Sequence, residues 1–236
     1  MKLNTEFMAK TLLDALAGVP VTLQLTLVTL LISIPLGFFM ALGRLEKKAA
    51  GRLIGGYVSF IRSTPIVVQI LFLYSLLPSL LNYLIKNVLL SDFNIFQVDS
   101  RLYAYIIFSM NTTAVLSEVF RSALLTVSQG QLEAALSIGL SKGQAYWRII
   151  IPQALVSALP NLCNTTVNLL KSTSLAFLMT VKDITAIAKI NAAYGYNYIE
   201  AYLVIFAIYI VLCSVVQICF RIFEGFVAGY KTPAAN

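Results

Sequence analysis

Glu133-Ala134-Ala135 begins a motif that continues with Gly139 after three residues and with Ile149-Ile150-Ile151-Pro152 after nine more. This motif constrains the fold more than any other part of the sequence. It lies in the longest polar gap between apolar runs. Glycine takes a left-handed turn at a helix end without steric cost, so Gly139 predicts the end of a short helix. Proline is tolerated in the first turn of a helix, so Pro152 predicts the start of the next long helix.

Two capping signals divide this polar gap into short helices. Ser128 is followed three residues later by Gln131, and Ser141 is followed in the same way by Gln144. A helix-starting hydroxyl with an amide three residues on is the capping-box pattern. Residues 128–152 are therefore predicted to form a helical elbow exposed at a membrane surface.

The composition is that of a membrane protein. Of the 236 residues, 59% are hydrophobic and 11% are charged, whereas about half of a soluble domain is apolar. Apolar runs of about 20 residues cross a hydrocarbon core about 30 Å thick, and the chain has room for about five such crossings and no separate soluble domain. The 17 basic residues against 10 acidic ones fit loops that face anionic lipid, so no nucleic-acid partner is expected.

The apolar runs predict an all-α integral membrane fold with five transmembrane helices, at 19–42, 65–84, 102–127, 152–177 and 199–223. Residues 1–18 are predicted to form an N-terminal interfacial segment, residues 19–227 the transmembrane domain, and residues 228–236 a C-terminal tail. The loop after the first crossing contains Arg44, Lys47, Lys48 and Arg52. Because basic loops stay in the cytoplasm, we expect the N-terminus outside and both the elbow and the C-terminus inside.

The third predicted crossing holds charged and amide side chains. Such groups inside a span usually face the protein interior or a water-filled path, because they are costly when unpaired in lipid. Glu118 and Arg121 are three residues apart on one helix face, so we predict a structural ion pair between them. Asn111 and Thr112 lie nearer the middle of the membrane, and we predict that they line a cavity.

The fourth predicted crossing contains Pro160, and a row of polar residues follows it. Spacings of three and four residues place this row on one helix face. A polar face at membrane depth indicates either the wall of a hydrated site or a helix–helix contact. The residues of this row are Asn161, Asn164, Thr165 and Asn168. Lys171 follows them and would bind a carboxylate if it faces the same cavity.

Three motifs resemble those of ABC importer permeases, and two of them resemble the polar amino acid branch of that family. The elbow is similar to the EAA motif, with Ile151 where the family has Leu. Residues 60–78, with Arg62-Ser63-Thr64-Pro65 and Val68-Gln69, resemble its FRGTP-x-x-VQ segment, with Ser63 for Gly. Residues 151–175 resemble its LPQAL, A-x-P and LLK-x-TSL run. The strings at 137–141 and 171–177 are similar to permeases for cystine or cysteine.

This resemblance implies a type I ABC importer permease fold in which the elbow is the cytoplasmic coupling helix. The residues expected to contact the ATPase are Glu133, Ala134, Ala135, Gly139 and Pro152. The implied function is the import of polar amino acids, cystine among them, by alternating access, and the chain itself is not expected to be an enzyme. ATP and Mg are expected on a separate ATPase, with no cofactor on this chain.

The resemblance also implies the partners and the location. We expect two ABC ATPase subunits, a second permease copy or a sister permease, an extracellular solute-binding protein, an amino acid substrate and membrane lipid. The location implied is a bacterial inner or plasma membrane, crossed several times. Asn164-Thr165 stands where the branch often has Asn followed by Gln or Glu, and a missing carboxylate there makes a purely cationic substrate less expected.

Other functional classes are weighed by what the chain contains. It has no histidine and three cysteines, all within apolar runs, so neither a metal site nor a Ser-His or Cys-His catalytic pair is expected. An ion-coupled secondary transporter would also need polar groups inside the membrane, although no internal repeat is visible. A non-transporting sensor or assembly subunit would keep the elbow without a substrate path.

Overall fold

The structure is a computed structural model that describes residues 3–45, 49–87 and 95–227. Within these ranges every regular element is helical, as the sequence predicts. The helices are α1 (Thr5–Leu16), α2 (Val19–Leu45), α3 (Ala49–Ser63), α4 (Ile66–Asn87), α5 (Ser100–Thr126), α6 (Gln129–Ser137), α7 (Lys142–Ala145), α8 (Ile151–Ser172), α9 (Ile184–Gly195) and α10 (Tyr198–Val227). The predicted C-terminal tail, 228–236, and Lys47 and Lys48 of the basic loop lie outside the described residues.

The outer end of the fourth predicted crossing differs from a simple helix. The α-helix ends at Ser172, and a tighter 3₁₀ segment continues over Thr173–Met179. Thr180 then takes a left-handed φ of 58°, which ends the segment. Asp183 caps the helix that follows by accepting a hydrogen bond from the Ala186 N–H at 2.8 Å. The predicted outer segment, 181–198, is therefore itself mostly helical.

Three described helices, α2, α4 and α10, are long and apolar enough to cross a membrane. The helices α5 and α8 are also long, with 27 and 22 residues, but they carry the polar side chains described below. Since α5 packs against α2, α3, α4 and α8, it lies at the centre of the bundle. The bundle therefore has the polar helix α5 at its centre, whereas the three apolar helices are largely exposed.

Close packing of α2 on α5 depends on Gly37. A Cβ atom at this position would lie 2.9 Å from Leu116 Cβ and 3.1 Å from the Ser117 nitrogen. Leu116 and Phe108 of α5 are fully buried. Any larger residue at 37 would have to push the two helices apart, because a packed interior has no spare volume.

The N-terminal helix α1, within the predicted interfacial segment 1–18, packs on α9 and α10. Ala15 is buried in a cluster with residues of both helices. The Asn4 N–H donates to Glu200 Oε1 at 3.1 Å, and Asn191 Nδ2 donates to Asp14 Oδ2 at 2.8 Å. Leu12, Leu13 and Leu16 remain exposed on the other side, so α1 presents an apolar face away from the bundle.

A buried polar cluster joins the start of α2 to α9 and α10. The Asp183 side chain is fully buried, and its Oδ2 atom has no hydrogen-bond partner among the described residues. Thr22, Thr185 and Tyr209 place buried hydroxyls, likewise unpartnered, in the same cluster. Burial raises the pKa of the Asp183 carboxyl from 3.8 to about 6, against the opposing effect of the hydrogen bond from the Ala186 N–H.

We expect the protein to gain stability as the pH falls from about 7.5 to about 5. The folded state takes up a proton near pH 6 and the unfolded state only near 3.8, so this contribution is complete below 3.8 and is lost as the pH rises through 6. The gain at pH 5 is about 1 kcal/mol, and Asp183→Asn should remove it. Thermal unfolding of the purified protein measures the effect, with Asp99→Asn at the exposed cap of α5 as control. Equal pH slopes in the wild type and Asp183→Asn would contradict this assignment.

Candidate functional site

One face of α8 carries exposed polar side chains along most of its length. The exposed positions recur every three or four residues, which is the repeat of one helix face. They are Ser157, Asn161, Asn164, Asn168 and Lys171. We call the last four residues the α8 polar face. The opposite side of α8 packs against α5 and α10 through Ala158, Val167 and Leu170.

Thr165 does not lie on the α8 polar face, although the sequence places it in the same row. Its side chain is 8% exposed, and its hydroxyl donates to the Asn161 carbonyl at 2.8 Å. A threonine in a helix can satisfy its hydroxyl in this way without any external partner. The structure therefore brings together the three asparagines and Lys171 and turns Thr165 toward the protein.

Asn111 belongs to a hydrogen-bond network that holds three helices together. Its Nδ2 donates to Gln69 Oε1 on α4 at 2.9 Å. Gln69 Nε2 in turn donates to the Ile61 carbonyl at 2.7 Å and to Thr64 Oγ1 at 2.8 Å, which fastens the end of α3. Thr112, the neighbour of Asn111, is buried. The sequence analysis did not assign a role to Gln69. The only sign of its contact was that it is an amide within an apolar run.

Glu118 is the centre of a cluster of arginines from three helices. As predicted, Arg121 pairs with it, through Nη2 and through Nε at 3.2 Å. Arg44 of α2 donates from Nη1 to Glu118 Oε2 at 2.7 Å, and Arg62 Nη1 of α3 lies 3.8 Å from the same oxygen. We call these four residues the Glu118 cluster. Arg44 and Arg62 are far from Glu118 in sequence, so spacing alone gave no sign of their contact.

Gly139 ends α6 in the left-handed conformation that the sequence predicts, with φ of +86°. The Leu140 N–H donates to the Ala135 carbonyl at 3.1 Å, and the Gly139 N–H donates to the Leu136 carbonyl at 3.0 Å. These two bonds form a Schellman motif, which satisfies carbonyls at the helix end. An added Cβ at Gly139 would meet no atom within 4 Å, so the need for glycine lies in the backbone angle and not in space.

The two predicted capping boxes have different outcomes. The box at Ser141 is confirmed: its Oγ accepts from the Gln144 N–H, and Gln144 Oε1 accepts from the Ser141 N–H at 2.9 Å. The box at Ser128 is wrong, because Ser128 begins α6 without a side-chain capping bond. Gln131 accepts instead from Gln153 Nε2 at 3.0 Å. That bond ties the first short helix of the elbow to the start of α8.

The predicted new start at Pro152 is only partly right. Pro152 does lie in the first turn of α8, but α7 runs into α8 through a π-helical turn, Tyr146–Ile150. Proline has no N–H and its ring would clash with the carbonyl four residues earlier. A wider turn just before the proline relieves both problems, and π turns of this kind interrupt helices without ending them. The second half of the elbow is therefore continuous with α8.

The elbow exposes apolar side chains beside Gly139. Ile138 is 77% exposed and Leu136 is 44% exposed. Of the predicted coupling residues, Glu133, Ala134, Gly139 and Pro152 are exposed, whereas Ala135 is buried under the elbow. A shallow cavity of about 290 Å³ lies behind Glu133, lined by Leu132 and Tyr146 among others.

The described residues contain no group of histidine, cysteine or acidic side chains able to hold a metal ion. The described residues form a helical bundle with an exposed polar face on α8 and an elbow that exposes Ile138 and Leu136 at one end. With three helices apolar enough to cross a membrane, this arrangement defines a helical integral membrane protein.

Comparison with known proteins identifies the family. Residues 33–228 match the model of the binding-protein-dependent transport system inner membrane component family. The chain belongs to this family and is a permease subunit of an ABC importer. It is the translocation component and not the ATP-hydrolysing one, and it acts in the membrane.

Individual relatives agree with this assignment over nearly the whole chain. The chain is 36% identical to the probable amino-acid permease protein YxeN of Bacillus subtilis, over 94% of this chain and 95% of the relative. It is 34% identical to the L-cystine transport system permease protein TcyL of Bacillus subtilis, over 88% and 84%. A crystal structure of an amino acid ABC transporter with histidines contains a chain with a TM-score of 0.80 and 28% identity, covering 95% of this chain and 99% of that one.

Proposed function

We propose that this permease imports polar amino acids, with cystine as the first substrate to test. The observation that supports this most directly is the α8 polar face, which combines three amides with one ammonium group. Relatives with the same fold are named as amino-acid and L-cystine permeases. An amino acid zwitterion needs a cation for its carboxylate and oxygens for its ammonium group, and both lie on this face.

The proposed path runs along α5 and α8, which we assign as the third and fourth of five crossings. Polar side chains are costly against lipid, so the α8 polar face must look onto water or onto another protein subunit. A second permease copy or a sister permease facing α8 would enclose a hydrated path between the two. Lys171 would bind the substrate carboxylate, and the three asparagines would bind the remaining polar groups of the substrate. The other predicted substrate ligands would contact the substrate only after the helices move. They are Asn111, Thr112 and Thr165.

The elbow is proposed as the coupling helix. In this proposal it lies in the cytoplasm with the C-terminus, and the N-terminus is outside. Ile138 and Leu136 would enter a groove of the ATPase, where ATP and Mg bind. Closure of the ATPase pair would then be transmitted through α7 and the π turn directly into α8, because these segments are continuous. A solute-binding protein would deliver the amino acid at the outer end.

The function is tested by ATP hydrolysis of the affinity-purified complex in lipid. The complex is assayed with its solute-binding protein and each of the twenty amino acids or cystine. We expect a polar amino acid to stimulate hydrolysis and to be taken up only with ATP. Uptake driven by a sodium or proton gradient without ATP would instead support a secondary transporter. An ATPase that binds but never responds to any amino acid would support a sensor or assembly subunit.

Replacement of Asn164 and Asn168 by alanine should reduce uptake. If the two amides bind substrate, their loss removes about 1–3 kcal/mol of binding, which is about a fivefold to 150-fold loss of uptake at low substrate concentration. Asn87→Ala at the end of α4, where the amide donates to the Tyr83 carbonyl, is the matched control. Radiolabelled uptake in proteoliposomes is the measurement. Unchanged uptake in the double variant would remove the α8 polar face from the path.

A further inference from the structure

A long apolar groove runs along the outer surface of α2, α3 and α5. Its volume is about 560 Å³. The lining side chains are mostly apolar, and one of its two phenols, that of Tyr57, already donates to the Met110 carbonyl at 2.9 Å. The groove is lined chiefly by Val28, Ile32, Leu36, Met40, Ile106 and Met110.

The length of this groove matches one leaflet of a membrane. Its lining residues extend from Val28 to Met40 on α2 and from Leu102 to Thr113 on α5. At 1.5 Å per residue each stretch is about 17 Å long, and half of the hydrocarbon core is about 15 Å. The groove is thus long enough to hold one extended acyl chain and too apolar to hold a water-soluble ligand.

The Glu118 cluster lies just beyond one end of the groove. Arg44 follows Met40 by one turn on α2, Arg62 follows Tyr57 on α3, and Glu118 follows Thr113 on α5. The contacts that bind the cluster place three guanidinium groups around one carboxylate. The Arg62 side chain is 49% exposed and 3.8 Å from Glu118, so most of its N–H donors have no acceptor among the described residues.

We propose that the groove and the Glu118 cluster together bind a phospholipid with an anionic headgroup. The acyl chain lies in the groove, and the phosphate accepts hydrogen bonds from Arg62 and its neighbours. Charge complementarity carries this choice, because the cluster has two more cationic than anionic side chains and a guanidinium binds phosphate oxygens in pairs. A basic pocket between helices at the cytoplasmic side is also the usual form of an anionic lipid site.

The first test is lipid competition, read by mass spectrometry of the intact complex. The complex is exposed to equal amounts of phosphatidylglycerol and phosphatidylcholine with identical chains, and the retained lipids are counted. We expect Arg62→Gln to lower the preference for phosphatidylglycerol about fivefold, the value of one basic residue near a membrane surface. Arg101→Gln, on the exposed pair with Asp99, should leave the preference unchanged.

The second test separates the groove from the charge. Ile32 and Ile34 lie on the same helix with similar exposure, 39% and 41%, but only Ile32 lines the groove. We expect Ile32→Trp to displace the retained lipid and Ile34→Trp to keep it, with both variants folded because both positions are on the surface.

Four results would overturn the proposal. The first is an unchanged lipid preference in Arg62→Gln, and the second is equal retention by Ile32→Trp and Ile34→Trp. The third is competition by soluble glycerol phosphate as effective as by the lipid, which would mean a site for the free anion alone. If cross-linking from Ile32 reached a second permease copy and no lipid, the groove would be a subunit contact and the lipid assignment would fall.

Discussion

Replacing Gly139 by valine is expected to abolish coupled transport while leaving the membrane bundle folded. The backbone at 139 has φ of +86°, a region that a β-branched residue enters only with strain. Such strain costs about 1–3 kcal/mol at a single position, enough to unwind the Schellman turn that ends α6. The elbow would then lose its angle, although no side chain in the bundle would be disturbed.

Gly143 provides the matched control for this experiment. It lies in α7 on the same elbow, and an added Cβ there also meets no atom within 4 Å, but its backbone is helical. Valine at 143 should therefore leave most transport intact. Asparagine at 139 should be intermediate, because asparagine enters the left-handed region more easily than other residues.

The measurement is amino-acid-stimulated ATP hydrolysis together with uptake in proteoliposomes. We expect at least a tenfold loss of both in Gly139→Val, since disturbing the proposed coupling surface by about 1.4 kcal/mol already shifts a binding equilibrium tenfold. Co-purification of the ATPase shows whether the variant fails at assembly or at coupling. Full stimulation in Gly139→Val would mean that the angle at 139 does not matter for coupling.

Gly139 and the capping box at Ser141 were predictable because their physics is local. A left-handed turn and a capping hydroxyl involve residues no more than a few positions apart, and sequence spacing reports them directly. Ser128 fits the same pattern and fails, because its partner Gln131 finds a tertiary contact with Gln153, 22 residues away. A local sequence pattern does not show that a distant residue competes with the cap for the Gln131 side chain.

The contacts that sequence reasoning missed are those between distant segments. Gln69 meets Asn111 across 42 residues, and Arg44 meets Glu118 across 74. Hydropathy indicates which helices are able to cross a membrane but does not say which helices are neighbours. The prediction that Thr165 shares the polar face is wrong for a related reason. Thr165 is adjacent to Asn164 in sequence but lies about one hundred degrees around the helix from it, so spacing alone could not decide which face the polar row follows.

Replacing Glu118 by alanine should be among the most destabilising single changes in the bundle. It removes the carboxylate that Arg44, Arg62 and Arg121 contact, and three cations would then repel one another where α2, α3 and α5 meet. Removing one partner of a fully buried ion pair costs about 3–5 kcal/mol. The side chains here are 17% to 49% exposed, so screening by water and headgroups reduces the expected loss to about 1–3 kcal/mol.

Thermal unfolding of Glu118→Ala at low and at moderate salt measures this loss. Salt screens the repulsion, so the difference from the wild type should shrink as ionic strength rises. Arg101→Ala is the control, because it breaks the exposed pair with Asp99, leaves the Asp99 cap of α5 in place and should cost less than about 1 kcal/mol. Adding Arg44→Ala to Glu118→Ala should restore part of the stability, since it removes one of the stranded cations. The contrary result is a double variant whose unfolding free energy lies below that of Glu118→Ala by the full loss that Arg44→Ala causes in the wild type. The two residues would then not interact, and the Glu118 cluster would not be what holds α2 to α5.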